Sequence, residues 1–256
     1  LLCKVCGQTV SHQFSVKILN KYVGDYYKCS NCLFLFAGDP FWLKEAYKNP
    51  INLTDTGLVN RNISFHKILS VLIYLLYDRQ GRFLDYAGGY GIFTRLMRDT
   101  GFDFYWYDLY CENLMAKGFE YDMNLNEKIE VLTAFEVLEH LENPIPEIEK
   151  MLTYSHNIIL STELLPFPIP DPENFWYYGF DHGQHISFYS PATLIFIARK
   201  FGLNYYNLGS LHLFTPKIFS LIYLKSLKKT AKLLYPFIKL NMKSRMFDDH
   251  LKLKNS

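Results

Sequence analysis

Four of the five cysteines stand in two pairs, Cys3-x-x-Cys6 and Cys29-x-x-Cys32, with 22 residues between Cys6 and Cys29. Thiolates are good zinc ligands, and a two-residue spacer lets both sulfurs of a pair converge on one tetrahedral ion. Two such knuckles close the site and leave no position open for catalysis. Disulfides are the competing reading, and paired knuckles without a visible secretory leader favour the metal. A second constellation begins at Phe83-Leu-Asp-Tyr-Ala-Gly-Gly-Tyr-Gly91, where an apolar strand runs into glycines and Ile92 to Met97 continue as a helix. Glycines let the backbone turn tightly and approach a ligand closely, and the start of a helix offers N–H groups, so the stretch reads as a nucleotide cradle. Asp85 ends the strand. Asp108, 20 residues beyond Gly88, ends the aromatic strand Phe102 to Tyr107, where a carboxylate can accept hydrogen bonds from both ribose hydroxyls. The same acid could cap a helix from Tyr110 to Lys117, with Cys111 a small residue inside it. His182 and His185 form a third group, since an imidazole titrating near neutrality suits proton removal from carbon or hydroxyl.

Recognisable elements must hold these groups. Residues 1–38 read as a zinc ribbon whose hairpin strands are Phe14 to Leu19 and Tyr22 to Lys28, stabilised largely by the metal because so small a unit buries little surface. Residues 39–62 form a connection carrying Trp42, Tyr47, Thr56 and Arg61. Phe65, Ile68, Leu69, Leu72, Ile73 and Leu76 recur at helical spacing and predict an amphipathic helix packed on a sheet. Further strands are expected at Gly118 to Tyr121, ending at Asp122, at Ile129 to Phe135, and at Asn157 to Thr162. A closing hairpin joins Asn204–Leu208 to Leu211–Thr215. Between them lies a Pro-rich passage, Pro166 to Phe180, whose Phe167, Phe175, Trp176, Tyr177 and Tyr178 suit either an acceptor pocket or a cap on the sheet.

Asp85-x-Ala87-Gly88-Gly89-x-Gly91 resembles the first motif of class I S-adenosylmethionine (SAM)-dependent methyltransferases, with Ala87 where the family usually has a glycine. The cofactor's sulfonium and ammonium are positive, so a carboxylate at the strand end is useful to it. The run Phe135-Glu-Val-Leu-Glu-His-Leu141 resembles the sequence after the fourth strand of many bacterial methyltransferases, including ubiquinone-pathway and sugar-modifying enzymes. Gln184-His-Ile-Ser-Phe-Tyr-Ser190 resembles the zinc-containing sugar C-methyltransferases, whose Glu-His pair here becomes Gln184-His185. The resemblance implies a seven-stranded, doubly wound Rossmann-like sheet over residues 63–215 with its last strand antiparallel, a ribbon before it and a basic helical extension after it. It implies SAM held by Asp85, Ala87, Gly88, Gly89, Gly91, Asp108, Leu109, Asp122, Phe135 and Glu136, with Glu139 and His140 seating the following helix. It implies structural zinc on Cys3, Cys6, Cys29 and Cys32, and His185 as the catalytic base with His182 as its understudy. Residues 39–62 would fold over the cofactor through Tyr47, Thr56 and Arg61. The acceptor would be a small molecule, sugar-like, in polysaccharide or secondary-metabolite synthesis.

The 256 residues carry a net charge of only +2, which argues against a dedicated nucleic-acid binder. That charge is uneven: from Pro216 onward ten Lys and Arg against two Asp make +8, leaving −6 elsewhere. The helix expected from Pro216 to Leu240 is therefore a solvated lysine face or a contact for an anionic membrane or an anionic substrate. No apolar run approaches the roughly 20 residues of a spanning helix, so a soluble, cytoplasmic protein is expected, and the resemblance implies a bacterial enzyme. Two other classes share features: a nicotinamide oxidoreductase, which leaves the Phe135 to Leu141 run unexplained, and a catalytically idle module recruited through ribbon and tail. Oligomeric state leaves no mark on the sequence.

Overall fold

A computed structural model describes residues 1–48, 55–124 and 127–255; the stretch 49–54 of the expected cofactor-covering connection lies outside them. The chain divides into two compact units. One comprises Leu1–Asn52, Phe135–Lys150 and Leu160–Lys217, the other Leu53–Ala134, Met151–Ile159 and Ile218–Ser256.

In the first unit β1 (Val10–Ile18) and β2 (Tyr22–Cys29) form the expected hairpin, beginning four residues earlier than the sequence suggested. Leu19 and Asn20 turn it with φ of 52° and 55°. The ribbon sheet is larger than a hairpin. β3 (Leu35–Ala37) pairs with β2, and β8 (Ser187–Phe188) pairs with β3, giving the order β1-β2-β3-β8. Its inner face is apolar: Ile18, Tyr26, Leu35, Trp42, Tyr177, Tyr178, Ile186 and Phe188 are buried together. Each such side chain contributes roughly 1.5–3 kcal/mol on burial, and this core explains how a ribbon too small to fold alone is supported from elsewhere in the chain. The short helix α1 (Leu43–Ala46) follows the ribbon. Tyr177 and Tyr178 of the aromatic passage belong to this core, whereas Phe167 and Trp176 are exposed.

In the second unit α2 (Leu58–Leu76) begins earlier than the apolar stripe at Phe65, so Arg61 lies on a helix and pairs with Asp55 at 2.6 Å. β4 (Arg82–Tyr86) leads through the glycine turn into α3 (Ile92–Thr100), and β5 (Asp103–Tyr107) runs parallel to β4. β6 (Ile129–Phe135) is parallel to β4 on its other side. Phe83 stacks on Phe104 with centroids 5.1 Å apart, inside the layer between sheet and helices. The stretch expected as a third strand forms a single parallel bridge, Trp106 to Glu120. No helix forms at 110–117: Asp108 uses its side chain on the next two turn N–H groups, and the chain bends away.

α4 (Pro144–Tyr154), β7 (Ile158–Ser161), α5 (Pro191–Lys200), β9 (Asn204–Asn207) and β10 (Leu211–Thr215) follow, and β9 and β10 are antiparallel as expected. The six-stranded sheet has the order β5-β4-β6-β7-β10-β9, the mixed, mostly parallel sheet of a doubly wound fold. α6 (Leu221–Asn241) packs along α2, with Ile222, Leu233 and Leu240 exposed beside its lysines. A further helix, α7 (Met246–Lys254), has no apolar stripe and was not foreseen. Its one buried residue, Asp249, ties it to Arg98. Among the described residues no helix is long and apolar enough to cross a membrane.

Candidate functional site

The glycine turn takes its shape from backbone demands. Ala87, Gly89 and Gly91 have φ of 54°, 54° and 81°, so alternate residues sit in the left-handed region. Ala87 bears a strain there of about 1 kcal/mol that glycine would avoid. At Gly88 a Cβ would stand 2.7 Å from the Trp106 ring and 2.8 Å from Asp85 Oδ2, so only glycine fits.

Asp85 lies beneath the turn, 2 % exposed, with Oδ2 accepting from the Thr94 hydroxyl at 3.0 Å and Oδ1 from Thr133 at 2.9 Å. Burial pushes its carboxyl up to about 7 against those two hydroxyl bonds, and nearby Asp108 adds to the rise. Asp108 fastens the turn to the end of β5: Oδ2 accepts from the Gly89 N–H at 2.9 Å, Oδ1 from Tyr110 at 2.7 Å and Cys111 at 2.9 Å. Trp106 completes the clasp by donating Nε1–H to Gly89 O at 2.9 Å. Leu109 is 64 % exposed on the same loop. Asp122 sits in an exposed turn, its carboxylate accepting from the Asn124 amide groups. Cys111 is half-buried in a turn, and burial pushes its thiol up to about 11.

The other candidates gather in the first unit. Glu136, with φ of 52°, donates its N–H to Ser161 Oγ at 2.9 Å while Ser161 donates to Glu136 Oε1 at 2.5 Å, and Phe135 is half-buried beside it. Glu139 is fully buried, and among the described residues neither carboxylate oxygen has a hydrogen-bond partner of good geometry, the Tyr177 and Thr162 hydroxyls being the polar groups beside it. Burial and the neighbouring Glu136 push its carboxyl up to about 8. The Tyr177 and Thr162 hydroxyls nearby bond to each other at 3.2 Å and relieve it only slightly. His140 Nδ1 lies 3.1 Å from Gln184 O and 2.9 Å from the Tyr47 hydroxyl. Burial lowers the His140 imidazole to about 4. His185 Nδ1 lies 2.6 Å from Tyr177 O, and its ring is 5.0 Å from His140 and 4.7 Å from His182. Burial lowers the His182 imidazole against the pull of Asp181. Gln184, which replaces the family's acid, spends its amide on Ala46 O at 2.9 Å. The acid near His185 is Glu139, which sequence reasoning gave only to helix seating. Its signal was present in the Glu-His pair of the Phe135 to Leu141 run.

Cys3, Cys6, Cys29 and Cys32 bring their sulfurs within 4.8 Å of one another, with 3.5 Å from Cys3 to Cys32 and 3.4 Å from Cys6 to Cys29. Tetrahedral zinc with bonds of about 2.3 Å holds sulfurs about 3.8 Å apart, so the four thiols fit that ion. Cys29 and Cys32 sit on a knuckle closed by Leu33 N–H on Cys29 O and by Leu33 at φ 59°.

The family model described as a methyltransferase domain matches residues 61–208, more than half of the chain. The chain belongs to that methyltransferase family, with the class I SAM-dependent fold. Comparison with curated proteins finds no significant match. Among solved structures it is similar to the methyltransferase CalO1 of calicheamicin biosynthesis, in an S-adenosylhomocysteine (SAH)-bound form, at 14% identity and a TM-score of 0.44, over 70% of this chain and 60% of that one. It is also similar to magnesium protoporphyrin IX methyltransferase from Synechocystis PCC 6803 at 12% identity and 0.44, over 67% and 90%. An O-methyltransferase family protein from Burkholderia thailandensis aligns at 13% identity and 0.47, over 70% and 68%. The family assignment rests on the domain match and not on these distant likenesses.

Proposed function

We propose that this methyltransferase transfers the SAM methyl group to a small, hydroxyl-bearing acceptor, a sugar or nucleotide-linked sugar in polysaccharide or secondary-metabolite synthesis. The observation that carries the reading is Asp108 at the carboxyl end of β5, fastened to the Gly89 N–H above buried Asp85. It is the arrangement that a ribose and a positively charged cofactor tail require. Asp85, Ala87, Gly88, Gly89 and Gly91 form the cradle, Asp108 meets the ribose, Leu109 and Asp122 the adenine side, and Phe135 and Glu136 the remaining cofactor wall. The acceptor atom bonds to the methyl carbon as the C–S bond breaks, and that electron pair stays on sulfur, giving SAH. The acceptor proton leaves at the group built around His185.

Structural zinc on the four cysteines completes the chain, and a reducing cytoplasm keeps those thiols available for it. The basic face of α6 gives at most weak contact with an anionic membrane. Isothermal titration of the purified protein with SAH, with NADH in parallel, tests the reading. Saturable binding of SAH alone supports it and opens a screen of nucleotide sugars with labelled SAM. Binding of NADH alone sinks it, and SAH binding without turnover on any acceptor would favour an idle module.

A further inference from the structure

Glu139 is the odd group in the first unit. An ionised carboxylate with neither oxygen satisfied in the interior costs several kcal/mol, so such a group takes either a proton or a cation. Its surroundings are arranged for the cation. One carboxylate oxygen of Glu139 and one ring nitrogen each of His140 and His185 lie within 4.8 Å of one another. The tautomers leave one lone-pair nitrogen on each of these two rings. A backbone carbonyl only accepts, so contact with Gln184 O places a proton on His140 Nδ1, and contact with Tyr177 O places one on His185 Nδ1. Both rings then carry their lone pair on Nε2, and a metal-bound histidine is commonly held in this way, its other N–H donated to a backbone carbonyl. His182, beside His185, is set the opposite way: its Nδ1 accepts the Gln184 N–H at 3.2 Å, so its proton is on Nε2 and it offers no such lone pair. Of the three clustered imidazoles, the two in the ligand tautomer are the two grouped with the unsatisfied acid. A second acid, Glu136, adds negative charge beside them.

We propose that Glu139, His140 and His185 bind a divalent first-row transition-metal ion, a site separate from the four cysteines and of different ligand chemistry. Two imidazoles and one carboxylate suit zinc, iron, cobalt or nickel better than magnesium or calcium, and leave positions open for water or an acceptor oxygen. Closing the three ligand atoms onto an ion with bonds of about 2.1 Å needs side-chain movement on the order of 1 Å. The consequence for catalysis rests on the methyl-transfer reading, whereas the binding does not. An acceptor hydroxyl on the ion would lose its proton more readily, the proton passing to solvent water, so His185 would act as a ligand and not as a free base.

The test is Co2+ titration of the purified protein brought to one zinc per chain, read by its visible absorption and by elemental analysis of cobalt per chain after desalting. Wild type should take up one Co2+ saturably, with a spectrum lacking the thiolate charge-transfer bands that cobalt in the cysteine site would show. Glu139→Gln, the isostere of a protonated carboxyl, should weaken that uptake beyond the 10–100-fold typical of losing an outer-shell partner. His140→Ala should do the same. Absence of saturable uptake by wild type, or a Glu139→Gln variant that binds cobalt as tightly, overturns the proposal. SAH titration of the same samples separates the two readings: cobalt uptake without SAH binding sinks the methyl-transfer reading and leaves this site standing.

Discussion

Asp108→Asn isolates the fastening of the glycine turn. The native carboxylate accepts three backbone N–H groups, one oxygen serving Gly89 and the other serving Tyr110 and Cys111. An asparagine keeps its carbonyl oxygen for Tyr110 and Cys111 and turns an amide N–H2 toward the Gly89 N–H, donor against donor. One charge-assisted bond is lost and one backbone N–H is left facing a donor. Hydrogen bonds to charged groups contribute roughly 1.5–3 kcal/mol, and partial exposure of Asp108 reduces the expected loss to about 1–2 kcal/mol. Urea unfolding should report that loss as a lower midpoint at unchanged slope. Calorimetry with SAH should report an affinity lower by about tenfold, the equivalent of 1.4 kcal/mol, because in the proposed cofactor site the loop and the ribose acceptor fail together. A variant with both quantities unchanged would refute the fastening itself. A lower midpoint with unchanged SAH affinity would reduce Asp108 to a structural clasp and remove it from the cofactor site.

Two further outcomes follow from buried charge. Burial raises the Asp85 carboxyl from near 4 in the unfolded chain to about 7 in the fold, so its contribution to stability is fully present below pH 4 and is lost as pH rises through 7. A rise of about three units corresponds to about 4 kcal/mol. Asp85→Asn should remove that slope from a series of urea titrations between pH 4 and 8, and parallel curves for the two proteins would show the assignment wrong. Asp249 anchors α7 by pairing with Arg98 at 2.6 Å, both side chains nearly fully buried, while the guanidinium lies 3.7 Å over the Phe119 ring. Burial tends to raise the Asp249 carboxyl, but Arg98 and Arg95 outweigh it and hold it low, so this contribution is present above the usual carboxylate range and is lost as pH falls through and below it. Asp249→Ala leaves a buried cation with Asp103 as its one carboxylate partner among the described residues and should cost about 3–5 kcal/mol in chemical unfolding; a loss under about 1 kcal/mol would mean that α7 is dispensable.

What could be read in advance divides along the range of the forces involved. The cysteine knuckles, the glycine turn between β4 and α3, the hairpin of β1 and β2 and the antiparallel β9 and β10 all depend on neighbours a few residues apart. Side-chain period, turn residues and ligand spacing therefore announce them in the chain itself. The helix expected from Tyr110 to Lys117 failed because Asp108 found turn N–H groups nearer than a helix would supply, a competition between two local bonds that composition does not settle. The pairing of β8 with the ribbon, the anchoring of α7 by Arg98, and the meeting of Glu139 and His140 with His185 join residues far apart in sequence. Nothing in any one of those segments encodes its partner. Sequence by itself determined the family, the glycine turn and the two cysteine knuckles, because each is a short stretch whose residues act on one another directly. Only the tertiary structure decided which acid stands beside His185 and which imidazole nitrogens carry protons, because both depend on backbone carbonyls and a buried carboxylate that the packed core brings to them.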